Sequence, residues 1–167
     1  MKIQVIQHTA ADSAAAAGEI LDHLGHPVSI TRIDLGEDVP RQADCDGLMM
    51  FGGGASFTGG DPLPAWVESE RELIHRYNDD EKQIVGICFG AQLLASTLGA
   101  NVFRNRQAEV GWHPVAKDDP APTGIVTRQL PDQMTVFHWH QDTFEIPEGA
   151  ERIYASKSCD NQAFVLD

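Results

Sequence analysis

The sequence predicts an α/β fold, an open and mostly parallel sheet with helices on both faces. Apolar strand-like runs alternate with helical stretches through the first hundred residues, which is the pattern of a helix-covered parallel sheet. Two of those runs also end abruptly, one in Gly52-Gly53-Gly54 and one in Gly86-Ile87-Cys88-Phe89-Gly90. Such endings mark buried strands that lead into tight loops.

Ile3, Val5 and Ile6 mark the first strand. Asp12-Ser13 offers caps to an alanine-rich helix that runs to about Leu24 and is closed by Gly25 and Pro27. A second strand follows over 28–33, and Gly47-Leu48-Met49-Met50-Phe51 is a short buried strand. Residues 55–63 form a loop. A helix with proline near its first turn spans Pro64 to about Tyr77. Residues 84–87 form another buried strand, and 91–98 a helix ending at Gly99. Beyond Asn101 the pattern changes to short strands and turns, punctuated by Pro114, Pro120, Pro122, Pro131 and Pro147. No repeat, low-complexity tract or linker interrupts the 167 residues, so they read as one domain over 1–167.

Composition narrows the function classes. A hydrophobic share of 42% suits a packed core. Twelve basic against 25 acidic residues leave a formal charge of −13, which repels phosphate backbones and anionic lipid and argues against nucleic acid or membrane as partners. Cys45, Cys88 and Cys159 are odd in number and widely spaced. That pattern fits neither a disulfide framework nor a metal site, and a reducing cytoplasm suits it best. The N-terminal residues are too interrupted by polar groups for a secretory signal, and no run approaches the roughly 18 apolar residues of a membrane span.

The chemistry is concentrated around Cys88. A nucleophile at a strand-to-helix turn is exposed by a strained backbone, and the glycines two positions before and after it let strand and helix pass closely. A helix N-terminus favours thiolate over thiol, and the N–H of Phe89 faces an oxyanion formed by attack at Cys88. The alternative is a buried structural cysteine, the usual fate of an isolated one. The triple glycine falls at the carboxyl end of a neighbouring strand, where parallel sheets bind ligands, and its unshielded amides could donate a second hydrogen bond.

These residues resemble the class I glutamine amidotransferases, a flavodoxin-like family, and in particular stand-alone members similar to the amidotransferase part of GMP synthase. Gly86-Ile87-Cys88-Phe89-Gly90-Ala91-Gln92 matches the nucleophile motif, and Phe51-Gly52-Gly53-Gly54 the oxyanion loop. Glu109-Val110-Gly111-Trp112, His138-Trp139-His140-Gln141-Asp142-Thr143-Phe144 and Asn161-Gln162-Ala163-Phe164 also look like family segments. The resemblance implies that Cys88 attacks the glutamine side-chain amide, with Gly53 and Phe89 donating to the oxyanion. It also implies that Gly54, Gln92, Trp139 and His140 contact the substrate. Ammonia would pass to a synthetase domain or subunit, and no cofactor or metal is implied.

One departure is large. The family's general base lies in a His-x-Glu pair on a later strand, and residues 159–167 contain no histidine. The resemblance therefore implies a C-terminally truncated domain, one that would need a partner or self-association to cover its exposed face. A non-catalytic binding or regulatory relative remains an alternative, as does a cysteine hydrolase such as a γ-glutamyl hydrolase. From the residues alone, His140 backed by Asp142 is the best available base, since His138, His140 and Asp142 alternate and would share one face of a strand. The other histidines, His8 and His113 among them, read as surface or packing residues, and Glu109 as a solvated charge.

Overall fold

The computed structural model describes residues 1–118 and 122–166, so Pro120 and the terminal Asp167 lie outside the described residues. The chain forms two compact units, Met1–Thr97 and Leu98–Asp167.

The first unit is built on four parallel strands in the order β2-β1-β3-β4: β1 (Ile3–Gln7), β2 (Val28–Arg32), β3 (Gly47–Met50) and β4 (Gln83–Gly86). β1 lies centrally, with Ile6 opposite both Thr31 and Met50. Because side chains alternate along a strand, neighbouring residues serve opposite faces. Ile6, Leu48 and Met50 pack with Val67, Leu73, Ile74 and Tyr77 of α2 (Trp66–Asp79) and with Phe89 and Leu93 of α3 (Phe89–Thr97). Val5 and Met49 turn the other way, toward Ala14 and Ala17 at and within α1 (Ala15–His23). Helices therefore cover both faces, as the sequence predicts.

α2 forms because Val67, Glu70, Ile74 and Tyr77 recur at helical spacing and are all buried. Burying each large apolar side chain contributes about 1.5–3 kcal/mol, enough to hold a helix otherwise rich in charge. α1 differs from expectation at its start. Ala14 occupies the N-cap with no side-chain cap bond, and Asp12 instead pairs with the Thr9 hydroxyl at 2.9 Å.

The second unit is antiparallel, in the order β6-β5-β7-β8: β5 (Val102–Lys117), β6 (Gln133–Phe144), β7 (Glu151–Ala155) and β8 (Ala163–Val165), with α4 (Ile125–Gln129) between β5 and β6. Short strands were expected here, but β5 runs for 16 residues and β6 for 12. Pro114 misleads, since it lies inside β5 opposite Thr135, where β7, which pairs only with Ala116 and Lys117, does not reach. A proline there removes no bond from a second neighbour. The pairing of β5 with β6 slips between Arg104 and Glu109, a local bulge. Val115, Ile153 and Tyr154 centre the core of this unit.

Candidate active site

Cys88 sits between β4 and α3 with a φ of 55°, left-handed backbone that a residue with a side chain rarely adopts. The two flanking glycines make this turn possible. A Cβ on Gly86 would lie 2.6 Å from the Gly90 carbonyl oxygen, and one on Gly90 would lie 2.5 Å from that of Met50. The turn is also stitched to the end of β3, because the N–H groups of Ile87 and Gly90 donate to the carbonyls of Met50 (2.9 Å) and Phe51 (3.2 Å). The strand-turn-helix arrangement read from the sequence is thus present, with both glycines sterically required.

Cys88 is exposed, whereas Cys45 and Cys159 are buried. Its thiol does not follow the expectation of an acidified sulfur. Desolvation leads and pushes it above the ordinary thiol range, Asp12 adds to this, and the N–H of Phe89 pulls the other way. Phe89 and Gln92 are buried within α3, and the N–H of Gln92 donates to the Cys88 carbonyl at 3.1 Å.

The glycine loop after β3 lies against the end of β1, and here sequence reasoning missed two residues. His8 is buried, the packing alternative of its sequence reading, but with polar partners that reading did not supply: Nδ1 lies 3.1 Å from the Phe51 carbonyl and 3.2 Å from that of Gly52. Its Nε2 lies 3.0 Å from a carboxylate oxygen of Glu70, a residue with no exposed surface. The ring stacks on Trp66 and meets Phe89 edge-on. A Cβ on Gly53 would come 2.9 Å from the His8 Cβ, whereas Gly54 has open space. Asp12 is the second omission: a Cβ on Gly52 would lie 3.1 Å from its Cγ, so it borders both the loop and Cys88. The signal for both was position, since each follows the first strand at the carboxyl end of the sheet.

In the second unit, His138 and His140 share the buried face of β6 as their alternation implied, while Trp139 projects from the other face and is 75% exposed. His140 Nδ1 lies 3.0 Å from the main-chain carbonyl of Asp142. The carboxylate facing Nε2, at 3.1 Å, belongs to Glu109. Glu109 is a correction to the sequence reading: it is buried, accepts from Ser156 Oγ at 2.6 Å and from Gln162 Nε2, and lies 3.4 Å from His138 Nδ1. Burial pushes its carboxyl up, but these bonds and the two imidazoles outweigh that and leave it lowered. His113 stacks on His138. Glu109, His138 and His140 place potential ligand atoms within 4.8 Å of one another, the one such group among the described residues. No helix among those residues is long and apolar enough to cross a membrane.

Several known proteins are similar to this chain. The family model for class-I glutamine amidotransferases matches residues 16–166. The glutamine amidotransferase-like protein YfeJ of Salmonella typhimurium is 28% identical over 97% of this chain and 69% of its own length. The glutamine-hydrolysing GMP synthase of Aeropyrum pernix is 33% identical over 77% of this chain and 22% of its own. γ-Glutamyl peptidase 4 of Arabidopsis thaliana is 30% identical over 52% and 36%. A glutamine amidotransferase structure from Methylobacillus flagellatus superposes with a TM-score of 0.88 at 32% identity, covering 99% of this chain and 66% of that one. The chain thus spans between 22% and 69% of the length of these proteins.

Proposed function

We propose, from the fact that this chain belongs to the class-I glutamine amidotransferase family, that Cys88 is the nucleophile of a glutaminase site supplying ammonia to a synthetase domain or subunit. The observation that carries the reading is the strained turn at Cys88 between two glycines that tolerate no Cβ. Cys88 attacks the side-chain carbonyl of glutamine and forms a γ-glutamyl thioester. Ammonia leaves with a proton, and water then cleaves the thioester to glutamate. The N–H groups of Gly53 and Phe89 receive the oxyanion, and Gly54 and Gln92 hold the substrate. No cofactor enters these steps.

A γ-glutamyl hydrolase or peptidase activity is the second reading, favoured by the γ-glutamyl peptidase relative. Both chemistries pass through the same thioester and differ in the group that leaves.

The test is labelling by a glutamine chloroketone with mass mapping, alongside ammonia release from glutamine by the full-length protein. Cys88 should be modified before Cys45 and Cys159, glutamine should slow its modification, and Cys88→Ser should abolish ammonia release. Labelling that glutamine does not slow, or turnover that survives the substitution, overturns the assignment. Faster release of an amine from a γ-glutamyl peptide than of ammonia from glutamine would select the second reading.

A further inference from the structure

We propose that His8, held by Glu70, is a positioning residue that sets the direction in which the oxyanion loop presents the N–H of Gly53; the inference rests on the glutaminase reading above.

The argument starts from the partners of the ring. Nδ1 faces two carbonyl oxygens, those of Phe51 and Gly52, and a carbonyl can only accept. Nδ1 therefore carries a proton and donates. Nε2 faces the two carboxyl oxygens of Glu70 at 3.1 and 3.0 Å, acceptors for a second ring proton that would make the imidazole a cation. Burial disfavours that cation, but the bond to Glu70, its charge and the two carbonyls outweigh it, and the His8 pKa is raised.

The consequence lies in the geometry of one peptide group. The carbonyl of Gly52 and the N–H of Gly53 belong to the same planar trans unit and point in opposite directions. Anchoring the oxygen on His8 turns the Gly53 N–H away from the ring, and a cation at the oxygen polarises the amide into a stronger donor. Without side chains, Gly52 and Gly53 would not hold one orientation unaided. The Phe51 carbonyl accepts from both His8 Nδ1 and the Gly90 N–H, so one oxygen ties the loop, the imidazole and the cysteine turn together. The absence of a Cβ at Gly53 lets the loop sit directly on His8.

Two measurements test this. In the wild-type protein, ring nitrogen NMR of His8 should show a proton on Nδ1 at every pH at which the protein is folded; an unprotonated Nδ1 overturns the proposal by itself. The second compares Cys88 labelling by a glutamine chloroketone, whose carbonyl becomes an oxyanion on attack, with labelling by iodoacetamide, which forms none. Two variants share a Glu70→Gln background so that no buried charge is stranded. His8→Asn keeps a donor near the Nδ1 position, and His8→Gln moves it toward Nε2. The chloroketone-to-iodoacetamide rate ratio should stay within about threefold of wild type in the first and fall about tenfold or more in the second. Equal ratios in the two variants would overturn the positioning role. If glutamine fails to protect wild-type Cys88 from the chloroketone, the glutaminase reading fails instead, whatever the ring shows.

Discussion

Gly90 approaches Met50 so closely that a Cβ on the glycine would fall 2.5 Å from the Met50 carbonyl oxygen. The obstacle is backbone on a central strand, so no side chain can swing aside to make room. Gly90→Ala should therefore destabilise the first unit by about 2–4 kcal/mol, at the upper end of overpacking changes. Gly54→Ala is the control, since nothing lies within 4 Å of a Cβ there and its φ is not left-handed. Its stability should stay within about 0.5 kcal/mol of wild type. Denaturant unfolding of the two variants side by side checks both; equal stability would mean that α3 can shift away from β3 at little cost.

The need for small residues at Gly86 and Gly90 was legible in the sequence from their spacing about a strand-to-helix turn, whereas the approach of Gly90 to Met50 on a neighbouring strand was not. The parallel sheet was legible for a similar reason, as the apolar runs and their glycine endings are local. What the sequence hid depends on contacts between distant residues. Nothing near His8 in the chain announces Glu70, which lies 62 residues away in a helix. Glu109 looked like a solvated charge, and only the pairing of β5 with β6 brings it opposite His140. The helix start was misread because Asp12 has two possible uses, and it exchanges hydrogen bonds with Thr9 in place of capping the helix. The long hairpin was misread because proline marks a break only when both sides of a strand are paired.

The Cys88 thiol should titrate high in the absence of a substrate or an added base. Desolvation is the leading cause and Asp12 a lesser one, both raising it, against the N–H of Phe89. The rate of iodoacetamide labelling should thus rise with pH to a midpoint above the ordinary thiol value of about 8.5. Asp12→Asn removes the opposing charge and should move that midpoint down. A wild-type midpoint near or below neutrality would show a thiolate stabilised by groups other than these.

The two units should lose stability at opposite ends of the pH range. The raised pKa of His8, where the Glu70 bond and charge overcome the burial that disfavours the cation, gives a contribution fully present below the ordinary histidine value of about 6.5. That contribution is lost as pH rises through the folded value. Glu109 is lowered, its bonds to Ser156 and Gln162 and the nearby imidazoles overcoming burial, so its contribution is present above the ordinary value of about 4.3 and lost as pH falls through the folded value. His138 is lowered chiefly by burial, so protonation below about 6.5 also costs the second unit stability. Hydrogen exchange, corrected for intrinsic rates, should show β1 and α2 loosening as pH rises above about 6.5, and β5 and β6 loosening as pH falls below about 6.5 and further below about 4.3. Parallel loosening of both units at acid pH alone would contradict the charged state assigned to His8.

Removing the Glu109 carboxylate should be among the costliest single changes in the second unit. Its two oxygens accept from the Ser156 hydroxyl and the Gln162 amide and face the imidazoles of His138 and His140. Glu109→Ala would leave the Ser156 hydroxyl and the Gln162 amide without that acceptor and the two imidazoles without the charge facing them, and breaking one side of a buried charged cluster costs about 3–5 kcal/mol. Glu109→Gln keeps the shape but offers a single acceptor oxygen, and turns an N–H₂ group toward a donor whichever way the amide is set. Its loss should be smaller, about 1–3 kcal/mol, the cost of leaving a buried polar group unsatisfied. The order Ala below Gln below wild type in thermal melting, with protection lost first across the β5–β6 pairing, checks the assignment. A Glu109→Ala protein that melts as high as wild type would show that water reaches these imidazoles and that the cluster contributes little to holding the hairpin.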